Sequence, residues 1–322
     1  MKMWFLGTGA GRPNKHRNVT AIALQLPEPE TGWWLFDCGE ATQHQLMYVP
    51  LKLSKLEKIF ITHLHGDHLY GLPGLLSSRS FDGGVTPLAV YGPIGLKAYI
   101  DTVFSLTETA LDYEIVIHEL EEEKQGIIYE DGRLRVEAGP LVHRVPCFGY
   151  RVEESDTTGP LLADKARALG VRSGPLFGKL KAGEAVTLED GTVITPESVT
   201  DGVLRGRIVT VLGDTSPCEM AVLLGKNADL IVHEATFAAG LEEKAHEFGH
   251  STTIEAARTA QLAGAKQVAL THFSGRYSND ELSQLVAEAT AVFPHAIAAT
   301  DLSMVKIDRV HERRAGQDEI SS

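Results

Sequence analysis

The chain has few cysteines, and those it has are far apart. Cys38, Cys147 and Cys218 are the 3 cysteines among 322 residues. Their odd number and wide spacing argue against a disulfide framework and against a structural zinc site built from paired cysteines. We therefore expect a protein of a reducing compartment, with the cytoplasm as its location.

Long hydrophobic runs are also missing. Residues 1–7, MKMWFLG, reach a glycine before an apolar run of signal-peptide length. Further along, no run approaches the roughly 20 apolar residues that cross a bilayer. Positive charge is scarce as well, since the formal net charge is −13. We expect no membrane partner, and a polyanionic partner would need a local basic patch.

Apolar residues are frequent enough for a large core, at 43% of the chain against 23% charged residues. β-type runs broken by glycine and proline open the sequence, which predicts an antiparallel sheet at the start of the fold. Later, strand-like runs alternate with segments of helical periodicity, which indicates α/β layering. The predicted strands are residues 3–6, 19–26, 33–36, 58–62, 134–138, 208–212, 230–232 and 268–271, and the predicted helices are residues 252–262 and 279–291.

The densest functional signal is the run His63-Leu64-His65-Gly66-Asp67-His68, directly after the predicted strand 58–62. Loops at the carboxyl ends of strands are where α/β folds build their sites. Imidazole and carboxylate ligands suit zinc, iron or manganese, and the lack of neighbouring cysteines argues against a structural zinc site. The run therefore predicts a catalytic metal centre. Unrelated surface histidines are the alternative, which this density of ligands disfavours.

Further ligands must come from distant parts of the chain. His143, Asp214 and His272 each follow β-type sequence, as the His63 run does. Taken singly, such a residue is more often a hydrogen-bonded structural group than a metal ligand. Their coincidence with the histidine run makes them the candidates for a second set of ligands.

This order of motifs resembles the five-motif pattern of the metallo-β-lactamase superfamily, over about residues 1–308. The resemblance implies an α/β fold of the four-layer αβ/βα sandwich type. It also implies a hydrolase with two Zn²⁺ per subunit, with Mn²⁺ or Mg²⁺ as alternative metals. The implied ligands are His63, His65 and His143 for one ion, Asp67, His68 and His272 for the other, and Asp214 between the two.

A loop near the start of the chain narrows the resemblance. Pro13-Asn14-Lys15-His16-Arg17-Asn18 follows a glycine-rich stretch and resembles the PxKxRN loop of the ribonuclease Z family. Lys15 and Arg17 can meet phosphates, and the glycines allow a backbone to approach closely. The resemblance implies that Lys15, Arg17 and Asn18 bind substrate. A solvated basic turn is the alternative reading of this loop.

Two later motifs are more specific. His233-Glu234-Ala235-Thr236 and His250-Ser251-Thr252 resemble the HEAT and HST motifs of the same family. A histidine held by a carboxylate can stay protonated, so His250 beside Glu234 would be a general acid for a leaving oxygen. The alternative is that His250 caps the helix predicted from residue 252 and that Glu234 satisfies buried backbone groups.

Near the end of the predicted fold, Ala299-Thr300-Asp301-Leu302-Ser303 resembles the family's AxDxx segment. The resemblance places Asp301 beside the metal centre. We expect its carboxylate to orient a metal-ligand histidine through a hydrogen bond.

Residues from about 153 to 196 differ from the rest of the chain because they lack clear strand periodicity, and we predict an inserted, flexible arm. This arm is similar to the exosite by which bacterial ribonuclease Z grips tRNA, and it supplies a local basic patch. The implied contacts are Gly174, Pro175, Lys179 and Lys181. A dimerisation hook and a linker are the alternatives. The predicted organisation is a metallo-β-lactamase domain at 1–308 carrying this exosite arm, and a charged C-terminal tail at 309–322.

The resemblance to the ribonuclease Z family implies a homodimeric endoribonuclease that acts on precursor tRNA. It would remove the 3′ trailer, leaving a 3′-hydroxyl on the tRNA and a 5′-phosphate on the trailer. Asp67, Glu234 and His250 would be the catalytic residues. A 3′ exoribonuclease and a small-molecule phosphodiesterase of the same fold are the alternatives, and the residues do not separate endonuclease from exonuclease action.

Overall fold

The computed structural model describes residues 1–27 and 32–312. The chain divides into two compact units, which are described separately. Unit 1 consists of the described residues within Met1–Glu130, Arg135–Val152 and Ile208–Ile307. Unit 2 consists of Asp131–Leu134, Glu153–Arg207 and the described residues from Asp308 onward.

Strands and helices alternate along the described residues. The strands are β1 (Lys2–Gly7), β2 (Gly9–Ala10), β3 (Ala21–Gln25), β4 (Trp33–Phe36), β5 (Leu56–Phe60), β6 (Leu88–Pro93), β7 (Ile115–Leu120), β8 (Gly126–Glu130), β9 (Leu134–Leu141), β10 (Cys147–Glu154), β11 (Thr157–Thr158), β12 (Val186–Thr187), β13 (Val193–Ile194), β14 (Val203–Leu204), β15 (Ile208–Val211), β16 (Leu230–Glu234), β17 (Val268–Thr271), β18 (Phe273–Ser274), β19 (Ala296–Ala298), β20 (Met304–Lys306) and β21 (His311–Glu312). The helices are α1 (Thr42–Leu46), α2 (Gly66–Leu69), α3 (Leu72–Phe81), α4 (Leu96–Leu106), α5 (Ala163–Ala168), α6 (Pro175–Lys181), α7 (Pro196–Val199), α8 (Glu219–Gly225), α9 (Glu242–Glu247), α10 (Thr253–Ala263) and α11 (Leu282–Thr290), with a 3₁₀ turn at Leu53–Lys55.

Unit 1 is built on two seven-stranded sheets. The first has the order β20-β1-β3-β4-β5-β6-β7, and the second has the order β19-β17-β16-β15-β10-β9-β8. In the first sheet β1, β3 and β4 pair antiparallel, as predicted for the start of the chain, and β4 to β7 pair parallel. In the second sheet β15, β16, β17 and β19 are parallel. Parallel strands bring their carboxyl ends to one edge, so the loops that follow them are neighbours.

The two sheets of unit 1 face each other across an aromatic layer. Phe60 of the first sheet lies 5.2 Å from Tyr150 of the second between ring centroids, and Trp34 lies 5.7 Å from Tyr129. The Tyr150 hydroxyl donates to the backbone carbonyl of Ile61 at 2.6 Å, which satisfies a buried polar group inside this layer. Aromatic pairs at these distances contribute packing as well as buried area.

Helices cover the outer faces of both sheets. Apolar residues of α3 and α4, such as Leu75 and Ile100, join the core cluster of the first sheet. Alanines of α10 and leucines of α11, such as Ala257 and Leu285, join the cluster of the second sheet. The order helix, sheet, sheet, helix confirms the predicted αβ/βα sandwich.

Unit 2 is more regular than its sequence suggested. Instead of an irregular arm, the segment contains α5, α6, α7 and the β12–β13 hairpin around a small core of Ala166, Val171, Leu180, Val186, Ile194 and Val199. Its compact part runs to Arg207 rather than ending near 196. Short helices without strong amphipathic patterning explain why periodicity did not reveal them.

A second strand system of unit 2 includes the start of the predicted tail. β14 pairs antiparallel with both β11 and β21, so residues 311–312 belong to a sheet. Arg309 pairs with Glu154 at 2.7 Å, and Glu154 also accepts from Arg207 at 2.7 Å. The remainder of the predicted tail, 313–322, lies outside the described residues. Among the residues described, no helix is long and apolar enough to cross a membrane.

Candidate metal centre

The histidine run forms a loop and one helical turn after β5. His63 and His65 lie in the loop, and Asp67 and His68 lie in α2. His143 comes to the same place from the loop after β9. The Nδ1 atom of His65 lies 3.0 Å from His63 Nε2 and 3.3 Å from His143 Nε2. These three side chains form the first group of potential ligands.

The second group contains the other half of the run and a histidine from the loop after β17. His68 Nε2 lies 3.1 Å from His272 Nε2. The Oδ2 atom of Asp67 lies 3.3 Å from His272 Nε2 and 3.6 Å from His68 Nε2. His68 links the two groups, since its ring centroid lies 4.1 Å from that of His63.

Asp214 lies between the two groups. Its Oδ2 atom is 3.7 Å from His63 Nε2, 3.5 Å from His68 Nε2 and 3.4 Å from His272 Nε2. The side chain is 4% exposed. Burial alone would raise the pKa of this carboxyl, but the charges of His272 and His68 hold it well below its usual range. The structure thus brings all seven predicted ligands together, with an ionised carboxylate at the centre.

Hydrogen bonds fix His63 and His68 from behind. His68 Nδ1 donates to Asp37 at 2.7 Å. The Thr62 hydroxyl donates to Asp37 at 2.8 Å, so its oxygen is free to accept from His63 Nδ1 at 3.0 Å. With both Nδ1 atoms engaged, the Nε2 atoms of the two rings face the centre. Such outer contacts set the tautomer and orientation of metal-binding histidines.

His143 and His272 are held in the same way. His143 Nδ1 donates to the carbonyl of Gly249 at 2.7 Å. Thr236 Oγ1 donates to Glu234 at 2.7 Å and is 2.9 Å from His272 Nδ1, from which it therefore accepts. His272 has a φ of 56°, a left-handed conformation that is uncommon outside glycine and is typical of functional sites.

Sequence reasoning missed these supporting residues. Asp37, with a φ of 58°, directly follows strand β4. The other candidates were found as polar residues that follow predicted strands. The same criterion, applied to the predicted strand at residues 33–36, would have found Asp37. Thr236 belongs to the HEAT-like motif, but the sequence did not predict its contact with a ligand histidine. Thr62 carried no signal, because a threonine hydroxyl that orients a histidine looks like any other threonine in the sequence.

The donor set fits divalent metal ions. Burial holds the pKa of His63 well below its usual range, and it also lowers those of His65 and His143, so these rings are neutral. The Nε2 atoms of His63 and His143, left as acceptors because Nδ1 of each ring donates, face Nδ1 of His65 at 3.0 and 3.3 Å. A divalent cation among these nitrogens would accept their lone pairs. Imidazole with carboxylate and no thiolate suits zinc or manganese.

Glu234 and His250 lie beside this centre. His250 Nδ1 is 3.1 Å from Glu234 Oε1. Burial disfavours the charged imidazole, but the attraction of Glu234 and its hydrogen bond outweigh burial and raise the pKa of His250 to about 9. The helix cap of α10 is Thr252 with Glu255, not His250. His250 is therefore a protonated side chain, 15% exposed, next to the metal ligands.

Glu234 also satisfies buried backbone groups, as the alternative interpretation of this residue predicted. Its carboxylate accepts from the backbone amides of Ser251 at 2.8 Å and of Thr236 at 2.9 Å. It therefore ties the loop after β16 to the loop that carries His250. It lies inside β16 as that strand's last residue rather than beyond its end.

The prediction that Asp301 orients a ligand histidine is wrong. Its carboxylate instead accepts from the amide of Asn18 at 2.6 Å, from the hydroxyl of Thr8 at 2.7 Å and from Gln45 at 3.1 Å. Asp301 thus anchors the amino-terminal loops, and Asp37 is the carboxylate that orients a ligand. Sequence position near the end of the fold could not distinguish these two roles.

The predicted substrate loop is divided between surface and interior. Lys15 is exposed, whereas Arg17 is 3% exposed and donates to the carbonyl of Tyr277. The side-chain amide of Asn18 donates to the carbonyl of Glu40 at 2.8 Å. Arg17 and Asn18 therefore hold the loop in place, and Lys15 is the residue of the three with a free surface.

The glycine-rich loop before these residues reaches the metal centre. The amide of Gly11 donates to Asp67 Oδ2 at 2.6 Å. The predicted arm residues Gly174, Pro175, Lys179 and Lys181 lie in unit 2 and are all exposed, at the start and in the last turn of α6.

Comparisons with known proteins agree with this geometry. A family model described as Anti-Pycsar protein Apyc1 matches residues 1–135. Ribonuclease Z of Geobacillus kaustophilus (strain HTA426) is 50% identical over 309 residues, which is 96% of this chain and 100% of that protein. Ribonuclease Z of Anoxybacillus flavithermus (strain DSM 21510 / WK1) is 49% identical over 315 residues, 98% of this chain and 100% of that protein.

Solved structures give the same result. The short form of human tRNase Z superposes with a TM-score of 0.69 at 33% identity, covering 95% of this chain and 99% of that one. The metallo-β-lactamase fold protein YhfI of Bacillus subtilis has a TM-score of 0.63 at 19% identity, covering 94% and 98%, and supports the fold alone. By its full-length identity to these relatives, the chain belongs to the ribonuclease Z family of metallo-β-lactamase fold proteins.

Proposed function

We propose that this protein is a zinc-dependent endoribonuclease that removes the 3′ trailer from precursor tRNA. The observation that carries the proposal is the convergence of seven metal-ligand candidates with the His250–Glu234 pair beside them. A relative that does not hydrolyse phosphodiesters needs no separate protonated histidine for a leaving oxygen, so the pair favours a phosphodiesterase. Full-length identity of about half to proteins named ribonuclease Z supports the same activity.

His63, His65 and His143 would hold one Zn²⁺, and Asp67, His68 and His272 the other, with Asp214 shared; Mn²⁺ or Mg²⁺ are alternative metals. When bound, two such ions lower the pKa of water to about 7 and stabilise the charge that develops on phosphorus oxygens. Hydrogen bonds to Nδ1 hold four of the ligand histidines in place before any ion binds; they are His63, His68, His143 and His272. This reduces the reorganisation that metal binding requires.

Asp67 and His250 divide the proton transfers. Asp67, held by the amide of Gly11, would position the attacking water or accept its proton as the oxygen–phosphorus bond forms. The bond from phosphorus to the 3′ oxygen breaks, and His250 donates its proton to that oxygen. Glu234 keeps His250 protonated and oriented. The tRNA therefore ends in a 3′-hydroxyl, and the trailer keeps the 5′-phosphate.

Substrate contacts outside the reacting bond come from exposed cationic groups. Lys15 lies in the loop that Asp301 anchors, and it is free to meet a phosphate. In unit 2, Lys179 and Lys181 project from the last turn of α6, next to the exposed Gly174 and Pro175. Local lysines can bind RNA although the net charge is −13. We therefore propose that the folded arm, residues 153–196, is an exosite that binds the tRNA.

A homodimer is part of the proposal. Met47 and Tyr48, just after α1, are 77% and 62% exposed, and they stand next to buried Leu46 and Val49. Neighbouring large apolar side chains on a surface commonly mark a protein contact. Light scattering of the purified chain, with Tyr48→Asp as the variant expected to dissociate it, tests this surface.

The cytoplasm remains the proposed location. An enzyme acting on precursor tRNA works where the precursor is made. Cys38 and Cys147 are buried free thiols, which fit a reducing compartment.

Mapping the product ends of a precursor tRNA with a defined trailer tests the proposed function. We expect one cut on the 3′ side of the discriminator nucleotide, an intact trailer with a 5′-phosphate and a tRNA with a 3′-hydroxyl. A ladder of trailers shortened from the 3′ end would instead show an exonuclease. Hydrolysis of small diesters without any cut in the tRNA would show a small-molecule phosphodiesterase.

A further inference from the structure

An exposed ring and an exposed guanidinium lie together beside the metal centre, and the proposed mechanism uses neither. Phe248 is 39% exposed, and the guanidinium carbon of Arg144 lies 6.0 Å from its ring centroid. Arg144 follows the ligand candidate His143 in the chain. Phe248 stands two residues before the proposed acid His250. The pair therefore adjoins both parts of the reaction machinery.

The end of α9 fixes the position of Phe248. The amide of Gly249 donates to the carbonyl of His246 at 3.0 Å, and the amide of His250 donates to the carbonyl of Ala245 at 2.9 Å. These two bonds, with Gly249 at a φ of 75°, form a Schellman motif. Phe248 and His250 leave one rigid turn, so their separation is set by backbone hydrogen bonds rather than by a mobile loop.

Gly249 also joins this turn to the loop of Arg144. A Cβ atom at position 249 would lie 2.7 Å from His143 Nδ1 and 3.2 Å from the amide nitrogen of Arg144. The carbonyl of Gly249 accepts the hydrogen bond of His143 at 2.7 Å. Only glycine allows this close approach, and the approach is what brings the guanidinium over the Phe248 ring.

An exposed aromatic face with a cation across it suits an unpaired nucleotide. Bases taken out of a helix stack on aromatic side chains and on guanidinium planes, whichever base is present. Arginine also pairs with phosphate oxygens. The net charge of the chain is negative, so a cation placed at this position is better explained by a local anionic partner than by a general surface charge.

We propose that Phe248 and Arg144 form the subsite for the nucleotide that keeps the 3′-hydroxyl after cleavage. Its base stacks on the Phe248 ring, and its 5′-side phosphate meets Arg144. The inference rests on the proposed function. This nucleotide is assigned because its 3′ oxygen must reach His250, and Phe248 leaves the same turn as His250. The pair positions the substrate and takes no part in proton transfer.

Fluorescence of 2-aminopurine tests the subsite directly. The probe replaces either the last retained nucleotide or the first trailer nucleotide of a precursor tRNA, and the signal is recorded by rapid mixing with full-length zinc-loaded protein before the bond is cut. We expect quenching at the last retained nucleotide. It should disappear in Phe248→Ala and return in Phe248→Trp.

Steady-state cleavage provides the second readout. Phe248→Ala should lower kcat/KM for precursor tRNA about 10- to 100-fold, and Phe248→Tyr should restore most of it. Arg144→Ala should lower kcat/KM about tenfold at low salt, with a loss that shrinks as salt rises, because a phosphate contact is screened. Leu262→Ala is the control. Leu262 is 74% exposed and lies near the far end of α10, so its loss should change neither readout.

Thermal unfolding and metal content of each variant separate a lost contact from a damaged fold. Quenching at the first trailer nucleotide instead of the last retained one would overturn the assignment. Equal kcat/KM for Phe248→Ala and wild-type protein would overturn the subsite. If the wild-type protein bound the RNA without cutting it, the proposed function would fall, and loss or retention of quenching in Phe248→Ala would still decide the subsite.

Discussion

The metal centre of unit 1 and the basic segment of unit 2 use polar residues in opposite ways. In the metal centre four of the ligand histidines, His63, His68, His143 and His272, are held by a further bond, such as His68 by Asp37 at 2.7 Å. In unit 2 the cations stand at the surface, and Arg167 pairs with Asp164 at 2.7 Å while that carboxylate is fully exposed. Buried bonds fix geometry to a fraction of an ångström, whereas exposed pairs contribute little and rearrange easily. Chemistry needs the first kind of group, and recognition of a long polyanion can use the second.

Glu154 of unit 2 is an exception, because it is buried and firmly paired. It indicates that burial, rather than the unit in which a group lies, decides whether a polar group is held in a fixed geometry. Glu154 is 5% exposed and accepts from Arg207 at 2.7 Å and from Arg309 at 3.1 Å. Burial works against the charged form, but the hydrogen bonds of Arg207 and Arg309 outweigh it and lower the pKa of Glu154 to about 2. Buried charged groups in unit 2 are thus fixed by hydrogen bonds, as the ligands of the metal centre are.

The largest expected effect is the loss of one ligand from the metal centre. Asp67→Ala removes a carboxylate from the second ligand group and the partner of the Gly11 amide. Cleavage of precursor tRNA should fall by more than about a thousandfold, since a metal ion supplies several kcal/mol to such a transition state. Binding of the tRNA, measured by filter retention, should remain. A variant that kept most of its rate with zinc supplied would refute the role given to Asp67.

Glu154→Gln tests the exception in unit 2. The pKa of Glu154 is lowered to about 2 in the folded protein from 4.5 in an unfolded chain, so the ionised group contributes stability above pH 4.5 that is lost as pH falls towards 2. At neutral pH the variant should lose at most about 3 kcal/mol of the free energy of unfolding of this unit. Hydrogen exchange of unit 2 amides measures it, and the difference from wild type should vanish at low pH.

The matched control is Glu189→Gln. Glu189 is 89% exposed and lies 3.6 Å from Arg172 in the same unit. We expect no measurable change in exchange at any pH, because such surface pairs contribute little. Equal losses in the two variants would mean that burial does not distinguish these carboxylates.

Asp37→Asn tests the hydrogen bonds that orient the ligand histidines. The amide keeps the size of the side chain but loses the charge that His68 Nδ1 meets at 2.7 Å. Zinc affinity or cleavage rate should fall about 10- to 100-fold, as for other groups that orient metal ligands. A competitive chelator titration measures the affinity. Asp112→Asn, at an exposed position, is the control expected to show no change.

The smallest effect is expected for the exposed lysines of unit 2. Lys179→Ala combined with Lys181→Ala should raise KM for precursor tRNA about tenfold and reduce its dependence on salt, because two phosphate contacts are lost. Lys226→Ala, an exposed lysine of unit 1, is the control. If the double variant bound tRNA as tightly as wild type, unit 2 would not be the exosite.

The sequence identified the ligand candidates because their chemistry restricts residue type. Few other side chains can take the place of His63 or Asp214 as metal ligands, so the order of histidines and aspartates along the chain predicts the centre. The loops after β5, β9, β15 and β17 were predictable for a related reason, since buried strands have a clear hydrophobic pattern. The predicted strand at 268–271 matches β17.

What sequence could not supply was the partner of each polar group. Asp301 and Asp37 are both carboxylates after β-type sequence, yet Asp301 bonds Thr8 and Asn18 while Asp37 bonds His68. Arg17 looked like a phosphate contact and is buried. Such outcomes depend on tertiary neighbours, which a motif does not contain. The helices of unit 2 escaped prediction because segments this short have weak periodicity.

Zinc titration of metal-stripped protein tests most directly whether the seven clustered side chains form a two-metal catalytic centre. The chain is stripped with a chelator, zinc is added in known equivalents, and cleavage of precursor tRNA is followed with metal content. Activity should be absent without metal, should rise with zinc and should saturate at two equivalents per chain. Cleavage by the stripped protein, or saturation at one equivalent, would contradict the two-metal centre.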